Sequence, residues 1–232
     1  MAPLAAADRV RSALLAAVGH DLRRPLAAAT AAVTGLRQPG AADLSAADRD
    51  ELLDTAETGL RSLADLLTDL LDVSRVQAGA LAVTLEAVEV DDLVAGAVDE
   101  LELGPDDVVL EIPVAIPPLQ ADRVLLQRVL VNLLSNALRY APVGEPVVIA
   151  ASDFAGSVQL RVIDRGTGVP EERRDDIFVP FQRLGDTDNS TGLGLGLALA
   201  KGFAEGMGGT LEFEDTPGGG STMVVTLRAS AG

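Results

Sequence analysis

His20 is the single histidine of this 232-residue chain. It stands in the stretch GHDLRRPL (19–26), next to Asp21 and five residues before Pro25. An imidazole beside a carboxylate is a plausible nucleophile, because the carboxylate can orient the ring, fix its tautomer and accept its proton. Three further stretches carry groups suited to a nucleotide. Asn132 and Asn136 are one helical turn apart and share a face. An amide oxygen is a hard ligand for Mg²⁺, which commonly reaches a protein through substrate phosphates. Arg139 and Tyr140, one turn further, offer a cation and a flat ring. DRGTGVP (164–170) ends a strand pattern with Asp164, an acceptor for an exocyclic amine, followed by Gly166 and Gly168, which admit a planar base closely. NSTGLGLGLALAKGF (189–203) sets Gly192, Gly194 and Gly196 at alternate positions where a helix opens. Bare backbone amides at such a terminus can cradle phosphates, although the GK[ST] ending of a Walker A loop is missing. Read singly, these stretches are also compatible with turn glycines, capping amides and an ordinary exposed histidine.

Composition narrows the choices. With no cysteine, the chain has no disulfide, thiolate metal site or cysteine nucleophile, and one histidine rules out a histidine-rich metal site. The net charge of −17 argues against electrostatic binding to nucleic acid or an anionic membrane. The charge is concentrated after residue 79, with −3 over residues 1–79 and −14 over 80–232. Lys201 is the one lysine among 18 basic residues, a bias we attribute to genomic composition. No run approaches the ~18 apolar residues of a membrane span, and the N-terminus does not read as a secretory signal. The expected location is the cytoplasm.

The elements that must position these groups fall into two parts. Residues 1–79 read as two long helices. Leu14, Val18, Leu22, Leu26, Ala29, Val33 and Leu36 recur at steps of three and four, QPGAAD (38–43) breaks the pattern, and Leu52, Ala56, Leu60, Leu63, Leu67, Leu70 and Val73 form a second stripe. Ser45 and Asp48 have the spacing of a capping box. On the first helix His20 lies about 160° from both Val18 and Leu22, hence toward solvent, and Pro25 predicts a bend beside it. A lone hairpin buries too little, so a homodimer pairing two hairpins into a four-helix bundle is expected. Residues 80–232 alternate strand patterns (LAVTLEAVEV, VVLEI, VVIAAS, SVQLRVID, TLEFED, STMVVTL) with helical ones (DDLVAGAVDELEL, Ala121 to Tyr140, Leu193 to Gly206). That mixture predicts an α+β fold overall, its second domain a sandwich with helices on one face of a mostly antiparallel sheet. The boundary falls near residues 77–85, which would serve as a hinge.

In their order along the chain, these motifs resemble the catalytic core of a two-component sensor histidine kinase. GHDLRRPL is similar to the H box of the dimerisation and phosphotransfer domain, NLLSNALRY to the N box, DRGTGVP and GLGLGLA to the two glycine boxes, and FVPFQRL to the F box of the GHKL-type ATP-binding domain. The run SALLAAVGHDLRRPLAAATAAVTGLRQ further resembles Kdp-type potassium-responsive kinases. The resemblance implies that His20 is phosphorylated from ATP and passes the phosphoryl group to an aspartate of a response regulator receiver domain. Asp21 would accept the histidine proton, Asn136 would hold Mg²⁺ with Asn132 assisting, and Asp164 would bind the adenine amine. Gly166, Gly168, Gly192, Gly194 and Gly196 would shape the pocket and its lid, and Arg139 and Tyr140 would line it. It also implies that the chain is the cytoplasmic portion of a membrane-anchored sensor. Two positions depart from the family pattern. Gly19 replaces a common serine, and Arg24 stands where many members have Thr or Asn to position water for dephosphorylating the regulator. Arg24 cannot accept a hydrogen bond, which predicts weak phosphatase activity. The alternatives are an ATPase of the gyrase and Hsp90 type, disfavoured because Asn132 stands where those enzymes have a glutamate base, and a catalytically inactive regulatory dimer.

Overall fold

The computed structural model describes residues 2–38, 44–182 and 193–230, with backbone alone for residues 2–17. The chain divides into two compact units, the first running to Leu71 and the second beginning at Asp72.

The first unit is built from α1 (Ala2–Arg37) and α2 (Ala46–Gln77). Helix α1 continues through Pro25. The start of α2 is fixed by the reciprocal cap that Ser45 and Asp48 predict. Ser45 Oγ donates to Asp48 Oδ2 at 2.7 Å, and the Asp48 amide donates back to Ser45 Oγ at 3.1 Å. The seam between the helices consists of small residues: Ala29, Ala32 and Ala56 are buried. Gly59 lets the backbones approach, since a Cβ there would lie 2.7 Å from the Pro25 carbonyl oxygen. Further along, Gly35 lies beside the Leu52 side chain at ordinary contact distance. Several larger members of the two apolar stripes are not used by this seam. Leu26, Val33, Leu60 and Leu67 stay between 44% and 58% exposed. The stripes are therefore wider than one hairpin covers.

The second unit contains a five-stranded sheet in the order β2-β4-β5-β7-β6, from β2 (Val108–Glu111), β4 (Val147–Phe154), β5 (Ser157–Ile163), β6 (Thr210–Asp215) and β7 (Ser221–Arg228). Only the β2–β4 pair is parallel. Each of these strands coincides with a segment that reads as a strand in the sequence. Cross-strand partners Ile149 and Val162, Leu160 and Val225, and Leu211 and Val225 point to one face, where burial is nearly complete. Helices α4 (Arg123–Tyr140) and α5 (Gly196–Gly206) pack on the sheet, and α3 (Val90–Glu100) packs on α4. Leu126, Leu130, Leu133, Leu134, Leu199 and Phe203 fill the layer between.

Two expectations need correction. LAVTLEAVEV is a strand only at β1 (Glu86–Val88), paired antiparallel with β3 (Leu119–Ala121), a strand the sequence reading missed. The preceding residues are extended but unpaired; Leu81 and Val83 face Gly206 of α5, where a Cβ would stand 2.7 Å from Leu81. Their alternation reflects packing on a helix, not a ladder. The last turn of α2 belongs with this unit as well. Asp72, 4% exposed, pairs with Arg75 and Arg128, and Arg128 lies 5.0 Å over the Phe203 ring.

Candidate active site

On the hairpin, His20 and Asp21 are brought together as expected. The imidazole is 60% exposed, and its Nδ1 is 3.1 Å from Asp21 Oδ1. An ionised carboxylate only accepts, so this bond requires Nδ1 to carry the proton and donate it. The lone pair then resides on Nε2. Arg24 follows one turn along the same helix, also exposed.

In the second unit, α4 supplies the frame. Asp122 caps its first turn, its Oδ1 accepting from the amides of Val124 and Leu125, while its Oδ2 accepts from the Thr84 amide. Asn132, Asn136 and Tyr140 follow at steps of four, all at least partly accessible, and span about 12 Å along the helix. At the Asn132 end, the first residue of α5 comes close: a Cβ on Gly196 would sit 3.2 Å from Asn132 Oδ1. The first turn of α5 holds no acidic side chain, and no side chain among the described residues caps it, which leaves its amides available to an anion. At the Tyr140 end, a Cβ on Gly166 would stand 2.3 Å from the Tyr140 carbonyl oxygen and 2.9 Å from Asp164 Oδ1. Arg139 stacks 5.4 Å from the Tyr140 ring. Gly196 and Gly166 therefore serve as points of close approach to one helix.

Asp164 is buried, and its Oδ1 accepts from the amides of Gly166 (2.8 Å) and Ser221 (3.1 Å). The Asp164 amide in turn donates to the Ser221 carbonyl at 2.9 Å. Burial raises the Asp164 pKa above the ordinary carboxylate value, opposed by the Gly166 and Ser221 amides and the Ser221 hydroxyl. With Oδ1 committed to backbone, Oδ2 is the acceptor left for a ligand. Gly168 adopts φ +68° beneath Gly220. Sequence reasoning missed Gly218, Gly219, Gly220 and Ser221. All three glycines have positive φ, and a Cβ on Gly220 would lie 2.1 Å from the Asp164 carbonyl oxygen. The triple glycine of TPGGGS was the available signal.

Gly194, at φ +67°, accepts at its carbonyl from the Phe181 amide at 2.9 Å, and a Cβ there would lie 2.6 Å from the Gln182 carbonyl oxygen. Gly192 lies outside the described residues. Phe178 lies under the Lys201 ammonium at 4.8 Å. Among the described residues no cluster of three carboxylate or imidazole donors forms. A divalent ion here would be held by amide oxygen and ligand phosphates, for which Asn132 and Asn136 are suited.

Two family models match the chain. Residues 10–79 match the His Kinase A (phospho-acceptor) domain. Residues 121–231 match the histidine kinase-, DNA gyrase B-, and HSP90-like ATPase. The sensor protein KdpD of Rathayibacter rathayi is 56% identical over 99% of this chain. KdpD of Mycobacterium tuberculosis H37Rv is 45% identical over 97% of it. The chain spans 27% of the length of each of these relatives. Among solved structures, the histidine kinase AdeS of Acinetobacter baumannii superposes with a TM-score of 0.66 at 25% identity, over 91% of this chain and 98% of that one. A phosphoacceptor hairpin bearing an exposed histidine, followed by an ATPase fold, together with relatives of one kind along nearly the whole sequence, leads to one conclusion: this chain belongs to the sensor histidine kinases and carries a catalytic core of the Kdp type.

Proposed function

We propose that the chain uses ATP to phosphorylate His20 and then transfers the phosphoryl group to an aspartate on the receiver domain of a response regulator. The observation that carries this reading is the His20–Asp21 pair, an exposed imidazole whose Nδ1 stands at hydrogen-bond distance from a carboxylate. Nε2 attacks the γ-phosphorus, the bond to the β–γ bridging oxygen breaks and ADP leaves. The Nδ1 proton passes to Asp21, so the new N–P bond does not leave a full positive charge on the ring. In the second step a receiver carboxylate attacks phosphorus, the N–P bond breaks, and the proton returns to the imidazole.

In the ATP-binding unit, Asp164 Oδ2 accepts from the adenine amine, while Gly166 and Gly168 keep the base pocket shallow enough for a ring to enter. Tyr140 and Arg139 line that end. Asn132, Asn136 and the amides at the start of α5, with Gly194 and Gly192 before it, serve the phosphate end. A bound Mg²⁺ would neutralise charge on the phosphates, and Asn136 would hold it, with Asn132 assisting.

Residues 1–79 act as the dimerisation and phosphotransfer hairpin, and residues 80–232 as the catalytic domain. A homodimer is supported by the uncovered stripe of Leu26, Val33, Leu60 and Leu67, which a second hairpin would bury in a four-helix bundle. No helix among the described residues is long and apolar enough to cross a membrane, in keeping with a role as the cytoplasmic portion of a longer sensor. The test is incubation with γ-labelled ATP and Mg²⁺. Label in an acid-labile, base-stable bond, absent from His20→Gln, is expected; full labelling of that variant overturns the assignment.

A further inference from the structure

On the second unit, away from the residues assigned to the nucleotide, α3 and β2 enclose an open groove of about 600 Å³. Its floor is apolar: Val94, Val98, Leu103, Leu110 and Ile112. Leu110 is 55% exposed, on a strand that forms the sheet edge. Its rim is acidic: Asp91, Asp99 and Glu102. No basic side chain lines the groove, and no salt bridge is formed by these three carboxylates among the described residues. Neighbouring acids are partnered, Asp92 with Arg123 and Glu100 with Gln127.

Two of the rim acids stand where a helix least favours them. Asp99 lies in the last turn of α3 and Glu102 just beyond it, while that turn holds no basic residue. The C-terminus of a helix carries partial negative charge, so carboxylates there cost stability and cations would restore it. Glu102 also adopts φ +53° in closing the helix, its amide bonded to the Asp99 carbonyl. Functional sites are where a sequence is expected to break a local rule. The side of α3 at Gly96 faces Gln127 of α4, which leaves the groove side available.

We propose that this groove docks a cationic amphipathic segment of a partner protein, in which two or three apolar side chains enter the floor and flanking Arg or Lys side chains meet Asp91, Asp99 and Glu102. Charge complementarity selects this occupant. A second copy of a chain with net charge −17 would bring like charge to an acidic rim, and a nucleic acid would be repelled.

The test is amide NMR on the 232-residue protein titrated with a synthetic peptide of leucine and arginine at helical spacing. Its glutamate counterpart and hexylammonium serve as controls. The expected result is saturable shift changes confined to residues 91–112, weakened at least tenfold by Leu110→Asp and by Asp99→Lys/Glu102→Lys, with nucleotide binding unchanged in both variants. Shifts spread over the acidic surface, or equal binding by Leu110→Asp, would mean general polycation attraction and overturn the proposal. Equal saturation by hexylammonium would assign the groove to small amines instead. Concentration-dependent shifts in the groove without peptide would assign it to self-association, and no binding would reject it outright.

Discussion

Replacing Asp164 by Asn should change which base the pocket accepts. Oδ1 accepts from two backbone amides, Gly166 at 2.8 Å and Ser221 at 3.1 Å. An Asn side chain can keep both bonds only with its oxygen in that place, which puts the amide nitrogen where Oδ2 was. A donor then faces the exocyclic amine of adenine. The loss is one hydrogen bond to a charged acceptor, about 1.5–3 kcal/mol, or roughly 10- to 150-fold in affinity at about 1.4 kcal/mol per decade. A 6-oxo purine offers an acceptor at the same point, so ITP should gain on ATP in the variant. Calorimetric titration with ATP and ITP reads both effects, and unfolding in urea checks that the fold survives. ATP affinity within threefold of the unaltered protein, with no gain for ITP, would refute the assignment of Asp164 to the base.

The raised pKa of Asp164 adds a pH signature with opposite signs for stability and binding. Between the ordinary carboxylate value and the raised one, the folded protein holds a proton that the unfolded chain has lost. This group's contribution to stability therefore falls as pH rises through that window and is level above it. Nucleotide binding needs the carboxylate, so affinity falls as pH drops through the same window; urea midpoints and titrations from pH ~4 upward should show both trends, and Asp164→Asn should lack them. Gly59→Ala should destabilise the hairpin although alanine is the better helix former. The propensity gain is about 1 kcal/mol, against about 1–3 kcal/mol for overpacking, because the new methyl would stand 2.7 Å from the Pro25 carbonyl oxygen and 3.2 Å from Ala29 Cβ. A midpoint that rises on thermal unfolding would contradict that seam. Arg24→Thr restores an acceptor one turn beyond His20 and should speed dephosphorylation of the cognate regulator several-fold; an unchanged rate would remove position 24 from that reaction.

Strands β4, β5 and β6 were legible because each is half-buried, and period-two alternation is the direct image of one buried face; β7 is buried on both faces. The same signal misled at residues 81–85. Leu81 and Val83 alternate there because they lie on α5, and alternation reports a covered face without reporting what covers it. In the hairpin, heptad-like leucines marked the helices but not their contact. The seam belongs to Ala29 and Ala56, which the stripes include, and to Ala32 and Gly59, which are too small to stand out in a chain rich in alanine. Asp164 was legible from its place at the end of a strand before paired glycines. Its fixing partner Ser221 lies 57 residues away and reaches it through the pairing of Ile163 with Thr222 in the β5–β7 register. Side-chain types along the chain carry no direct record of such a register.

The glycines show how a motif can be read correctly and still for an incomplete reason. Alternate spacing suggests a bare backbone turned toward phosphate, yet the described glycines answer to two separate constraints. Gly168 and Gly194 occupy positive φ, where an L side chain is strained. Gly166 and Gly196 are needed because α4 passes beside them, one at the Tyr140 carbonyl and the other at Asn132 Oδ1. Both loops thus take their position from the same rigid helix. Asn132, Asn136 and Tyr140 are spaced along it at about 6 Å per step, so the base end and the phosphate end of the site are set by one element. A side chain at Gly166 would displace its loop from that helix before it met any ligand, and one at Gly196 would press on the Asn132 side chain. The glycine loops hold nucleotide chemistry in place by holding on to α4.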